Sequence, residues 1–233
     1  MHARPPFDAA AARRLRESLG MTPAHVAYGM WAAFGLRVTP ETIAAWELSE
    51  DSPDEKQLAA LAGALWCSPG DLLGRPRTLH EYRLVRGTAL TDVALRIGMP
   101  AAQYAEVERT GRWTGTDQQA ATLAAVLGLS TRTHVELVGR DGKLADQLRS
   151  AAGSRWQAYV KPVCRLLPQV ETATVERVLE RLHDEFHQRS FSSLSWIDTG
   201  TETGSSSVDA GRRYLDRVTE HFWAHLEAVR HDG

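Results

Sequence analysis

The segment AEVERTGRWTGTDQQ, residues 105–119, sets Arg109, Gly111, Arg112 and Trp113 side by side. A guanidinium donates in a planar fork that matches phosphate oxygens, glycine lets main chain approach a ligand, and an indole can stack on a sugar or close a core. Together these groups suit a polyanionic backbone. The surroundings share the bias: residues 75–115 carry seven arginines (Arg75, Arg77, Arg83, Arg86, Arg96, Arg109 and Arg112) against four carboxylates. Residues 8–74 reverse it, with nine carboxylates against five basic groups. The formal net charge of −2 excludes a uniformly basic nucleic-acid coat but hides this local asymmetry.

Other chemistries are weaker. HDEFH (His183, His187) and HFWAH (His221, His225) each place two imidazoles one helical turn apart, a spacing that can ligate zinc. Asp184 stands where a catalytic glutamate would be needed in the first, and Phe186 and Phe222 put both pairs at the border of apolar stripes. Half-buried histidines need no metal there, so neither a metal nor another cofactor is assigned. Cys67 and Cys164 lie far apart with no CxxC partner, which fits a reducing cytoplasm. No Gly-rich phosphate loop, GxSxG elbow or Cys–His nucleophile occurs, which points away from an enzyme. Neither a long apolar run nor a secretory signal is present, so no membrane partner is expected.

The elements that must position these residues are helices. Thr22-Pro23, Thr39-Pro40, Ser52-Pro53 and Ser68-Pro69 pair a capping hydroxyl with proline at the first helical position. Ser52 with Glu55, and Thr116 with Gln119, fit the reciprocal capping box. Leu58, Leu61, Ala62 and Leu65 recur at helical spacing, and Trp46, Trp66, Leu61 and Leu65 are expected in the core. LRESLGMTPAHVA (15–27) aligns with YRLVRGTALTDVA (82–94), matching Arg16 with Arg83 and Gly20 with Gly87 at an offset of 67. Trp46-Glu47 aligns with Val107-Glu108 at an offset of 61, so the first copy carries six extra residues within YGMWAAFGLR. This extension lengthens a core helix or exposes an apolar patch that docks on the other copy or on a partner; docking between the copies is the favoured expectation. The chain therefore reads as all-α: two five-helix units, 8–74 (acidic) and 75–139 (basic), then a C-terminal helical bundle, 140–233. In the bundle Val175, Val178, Leu179, Leu182 and Phe186, and later Leu215, Val218, Phe222, Leu226 and Val229, keep core spacing, and 198–207 is a flexible connection by composition.

Each copy runs as an amphipathic helix, a glycine, a short helix with a Val-Ala pair, a turn at Gly35 or Gly98, and a second short helix ending in an apolar-Glu pair. Over residues 12–138 this resembles the phage-repressor and Cro-type (Xre) helix-turn-helix family, whose units are lambda-repressor-like. The double unit with a helical tail is similar to a class of regulators from high-GC bacteria. The resemblance implies that the second short helix, Thr39–Glu47 or Pro100–Glu108, enters the major groove of double-stranded DNA while neighbouring groups hold phosphates. It implies contacts from Arg77, Arg83, Arg86, Arg96, Arg109, Arg112 and Trp113, base readout from Gln103 and Tyr104, and a first-copy contribution from Arg37, Thr39 and Thr42. Pro40, Glu41 and Ala45, like Ala101, Ala102 and Glu106, depart from the long donors usual in the family. Pro23 and Leu90 replace its phosphate-binding glutamine. The expected function is a cytoplasmic transcription regulator, a homodimer through its C-terminal helices and open to a small-molecule or protein effector. The alternative is an adaptor or antagonist that keeps the fold without reading DNA.

Overall fold

The computed structural model describes residues 6–191 and 211–231; the connection expected at 198–207 lies outside them. Among the described residues the secondary structure is helical, with one isolated antiparallel bridge between Phe7 and Leu73 and no strand. The all-α expectation is met. The described residues pack as two compact units, the first within residues 1–114 with 125–127 and the second within 115–124 with 128–233.

Unit 1 begins with α1 (Ala9–Ser18), α2 (Pro23–Phe34), α3 (Pro40–Glu47) and α4 (Glu55–Ala64), closed by a 3-10 turn at Pro69–Leu72. The caps explain where these start. Thr22 Oγ accepts the His25 amide, and Thr39 Oγ accepts that of Thr42. For α4 the reciprocal box is formed by Asp54 and Gln57, two residues after the expected Ser52–Glu55 pair. Asp and Ser cap about equally well, so cap strength does not decide between the two positions; the helix starts from the later one. Val26, Met30, Ile43, Trp46, Leu58, Leu61 and Leu65 fill the core beneath these helices.

Trp66 does not join them: it is 87% exposed. Helix α4 ends at Ala64, and Trp66 takes a left-handed φ of 54°, which carries its side chain off the helical stripe. The six-residue extension has a structural counterpart. Helix α2 has 12 residues where its second-copy counterpart has 8, and the following loop spans 35–39 instead of 98–100. The added turn, residues 31–34, is exposed throughout, so it extends the helix outward and is not buried by docking between the copies.

The chain continues with α5 (Leu79–Val85), α6 (Leu90–Ile97) and α7 (Ala101–Thr110). Helix α8 (Asp117–Leu127), opened by the expected Thr116–Gln119 box, is shared between the units. Unit 2 adds α9 (Thr131–Leu137), α10 (Asp141–Gly153), α11 (Val160–Leu166), α12 (Thr172–Phe191) and α13 (Val218–His231). Its core is built from Leu144, Leu148, Val163, Val175, Val178, Leu179, Leu182, Tyr214, Val218, Phe222 and Leu226. No helix is long and apolar enough to cross a membrane, among the described residues.

A buried histidine makes the stability of unit 2 sensitive to acid. His134 is fully buried, and neither ring nitrogen makes a hydrogen bond of good geometry. Burial, then the Arg140 guanidinium, depresses its pKa below the usual 6.5, opposed in part by the backbone of Ala120. The folded state thus holds the neutral ring, while the unfolded chain takes up a proton as pH falls below 6.5. Stability from this residue is complete above that pH and is lost below it. Urea unfolding at neutral and mildly acidic pH, followed by circular dichroism, should show a smaller acid-induced loss for His134→Leu than for the unsubstituted chain.

Candidate nucleic-acid interface

Helix α6 turns Val93, Ala94 and Ile97 inward and leaves Leu95 and Arg96 exposed. Gly98, at φ 66°, ends it in the left-handed region, and α7 starts three residues later. Along α7 the inward positions are Tyr104, Val107 and Glu108, while Ala101, Ala102, Gln103, Glu106 and Arg109 face solvent. Gly111 closes α7 with a φ of 66° and donates its amide to the Val107 carbonyl at 2.9 Å. That left-handed cap is sufficient reason for a glycine there.

Arg83, expected at phosphate, is instead 2% exposed and saturated. Its Nε donates to Glu108 Oε1 at 2.8 Å and its Nη2 to Glu108 Oε2 at 3.1 Å. Nη1 reaches Glu55 at 2.7 Å and the Thr88 carbonyl at 3.1 Å, and His80 Nδ1 lies 3.0 Å from Nη2. No donor is left for DNA. The same arrangement occurs in the first copy: Arg16 Nε and Nη2 donate to Glu47 at 2.6 and 2.8 Å, and Nη1 donates to the Met21 carbonyl at 2.8 Å. Each arginine therefore ties the first helix of its copy to the end of the third and to the carbonyl five residues along its own chain. Burial works to raise the Glu108 carboxyl, but the bonds from His80 and Arg83 hold it below its usual range.

Tyr104, expected to read a base, is also a correction. It is fully buried, and its hydroxyl faces Glu108 without a hydrogen bond of good geometry. Burial, then the Glu108 charge, pushes its pKa well above the ordinary tyrosine value, so it stays a neutral core phenol. It lies one residue past exposed Gln103, and α7 rotates about 100° per residue, which turns it inward.

The remaining positions divide. Arg109 pairs with Glu106 across one exposed turn, Nε to Oε2 at 2.8 Å, a contact weak enough for phosphate to displace. Arg86 is exposed and donates Nε to the Leu127 carbonyl at 3.0 Å. Trp113 is half-buried with its indole N–H buried and unbonded among the described residues, which favours a lid over a stacking platform. Gln103 is exposed and donates to Thr114 Oγ1 at 3.2 Å. Arg77, Arg96 and Arg112 are exposed, and among the described residues no carboxylate pairs with their side chains. In the first copy Arg37 is exposed, while Thr39 and Thr42 are engaged in capping α3, their hydroxyls 3.2 Å apart. Glu41 opens that helix with an exposed carboxylate.

The histidine pairs are occupied by other contacts. His183 Nδ1 lies 3.1 Å from the Ala152 carbonyl and its ring meets that of His187 edge-on at 4.2 Å. His221 stacks on Tyr214 at 4.5 Å, and His225 Nε2 is 3.1 Å from Glu185. Among the described residues no group of three or more His, Cys, Asp or Glu side chains is placed to hold a metal ion. Against protein-family models, curated proteins and solved structures, the chain finds no match.

The two clamps differ in how much their loss should cost. Glu108→Ala leaves a buried guanidinium with one carboxylate where it had two, and should cost about 3–5 kcal/mol in denaturant unfolding. Glu47→Ala, where both partners keep some solvent contact, should cost about 1.5–3 kcal/mol. Because the folded Glu108 pKa lies below the usual 4.5, its contribution is complete above that pH and is lost as pH falls through the folded value.

Proposed function

We propose that this chain is a DNA-binding transcription regulator of the helix-turn-helix type, with modules at 8–74, 75–139 and 140–233, acting in the cytoplasm. One observation carries the reading: the outer face of α7 is uncovered, and exposed Arg96 and Arg112 stand just before and just after it in the chain without carboxylate partners among the described residues. The recurrence of the Arg–Glu clamp at the offsets of the sequence repeat supports a duplicated unit. Phosphate anchoring by Arg77, Arg96, Arg112 and Arg109, the last released from Glu106, supplies affinity. Base contact is limited to Gln103 and to alanine methyls, which pack on thymine methyl groups, so duplex shape contributes part of the selectivity.

Acting as a homodimer would double this small contact. The described C-terminal helices spend their large apolar residues inside the core, so a dimer contact on them would be polar. In this reading an effector occupies a cleft of about 390 Å³ between α9, α10 and α13, floored by Val135, Leu144 and Trp223 and rimmed by Arg132, Asp141 and Glu220.

Mobility-shift titrations across a salt series test the function. Affinity for duplex DNA should fall steeply with salt, and Arg96→Ala and Arg112→Ala should each flatten the slope by about one unit per lost phosphate contact. Arg109→Ala should flatten it less, because Glu106 competes for that side chain. Absence of duplex binding at low salt would favour the adaptor reading.

A further inference from the structure

The two copies meet at a carboxylate of one and a guanidinium of the other. Glu55 is the first residue of α4, in the first copy, and the cap beside it fixes its place: Asp54 Oδ1 accepts the Gln57 amide at 2.8 Å, and Gln57 Oε1 accepts the Asp54 amide at 2.9 Å. Its oxygens receive Nη1 and Nη2 of Arg83, in the second copy, at 2.7 and 3.3 Å. The same guanidinium donates to Glu108 of α7. One buried side chain of α5 thus joins the start of α4 to the end of α7. Apolar packing runs the same way. Leu84 is buried in one cluster with Met30, Trp46, Leu58 and Leu72 of the first copy, and Val85 packs against it. Val85 also lies over Gly70, where a Cβ would come within 3.1 Å of its Cγ1.

The repeat shows what is special about this contact. Leu84 aligns with Glu17 at the offset of 67, and Glu17 approaches Arg16 from its own helix at 3.6 Å. The second copy has a leucine at that position, covered by the first copy, and its arginine takes a carboxylate from the first copy instead. The device then recurs one step along the chain. Asp117, first residue of α8, aligns with Glu55 at the offset of 62. Its Oδ1 accepts Nη2 of Arg140 at 2.6 Å, and Arg140, like Arg83, is buried. In both places the acid that opens the fourth helix of a copy secures a buried arginine of the segment that follows.

We propose that Glu55 is a positioning residue for α7, acting through Arg83 and Glu108, so that the first copy serves the nucleic-acid interface as a brace for the second. The consequence for DNA rests on the helix-turn-helix reading; the brace itself does not. Without Glu55, Arg83 keeps Glu108 but loses the anchor that sets where the pair sits, and α7 gains freedom to shift against α4. The Glu55 side chain is 46% exposed, so its removal leaves no cavity and the chain still folds.

Amide exchange of the full chain without DNA tests the brace. Glu55→Ala should speed exchange across residues 101–110 about fivefold while residues 23–34 and 172–191 keep their rates. Glu55→Gln, which keeps an oxygen at the same reach, should stay within twofold of the unsubstituted chain. In mobility-shift titrations Glu55→Ala should weaken duplex binding about fivefold with the salt slope unchanged, because fewer molecules hold α7 correctly and no phosphate contact is lost. Unchanged exchange at 101–110, or an equal rise in every helix, would overturn the brace whether or not DNA binds. Duplex affinity that stays the same or rises when the acid is removed would also overturn it. An unsubstituted chain that binds no duplex would overturn the DNA reading alone, and the exchange rates still decide the brace.

Discussion

A buried arginine held by a carboxylate at the far end of a neighbouring helix organises each copy. Arg16 with Glu47, and Arg83 with Glu108, spend their guanidinium donors on a bidentate carboxylate and on a carbonyl five residues ahead. The geometry fixes how the third helix leans on the first, and so which face of α3 or α7 is left outward. Breaking such a pair strands a charge in the core, which makes the clamp a strong constraint on orientation whatever its net contribution to stability. In the second copy the constraint is tighter: Glu55 and His80 join, and Tyr104 closes over the carboxylate. The outward set on α7, from Ala101 to Glu106, follows from this inward set.

With the clamp shared, the two copies differ in what they add around it. The second keeps the glycine at the end of its fourth helix, a short α6, and exposed arginines. The first adds a helical turn bearing Trp31 and Phe34, replaces the glycine by Trp66, and carries nine carboxylates against five basic groups over residues 8–74. The local charge balance differs in sign between residues 8–74 and 75–115, a division that the chain's near-zero total conceals.

Much of this was legible in the residues. The repeat offsets of 67 and 61 pair the members of the two clamps, and the six-residue difference divides into four residues of helix and two of loop. Proline and hydroxyl caps placed α2 and α3 correctly because a cap is a local interaction. What failed was non-local. Arg83 carries the same charge in sequence whether it meets phosphate or Glu108; its match to Arg16, itself matched to a glutamate-terminated third helix, was the available signal that it is structural. Tyr104 looked polar because its hydroxyl is, but rotation about α7 buries it. Trp66 fitted the apolar spacing of α4, yet the helix stops two residues earlier, and a left-handed φ is invisible to periodicity. Asp54 displaced Ser52 as cap because two good caps stood two residues apart and only packing chooses between them.

Amide hydrogen exchange of the full chain, with and without a duplex, tests the central claim most directly. That claim is that the clamp turns the outer face of α7 and its flanking arginines toward DNA while the aromatic turn of α2 faces elsewhere. Added duplex should slow exchange across residues 96–114 and leave residues 28–34 unchanged. Slowed exchange at 28–34 with none at 96–114, or no change at either, would contradict the account.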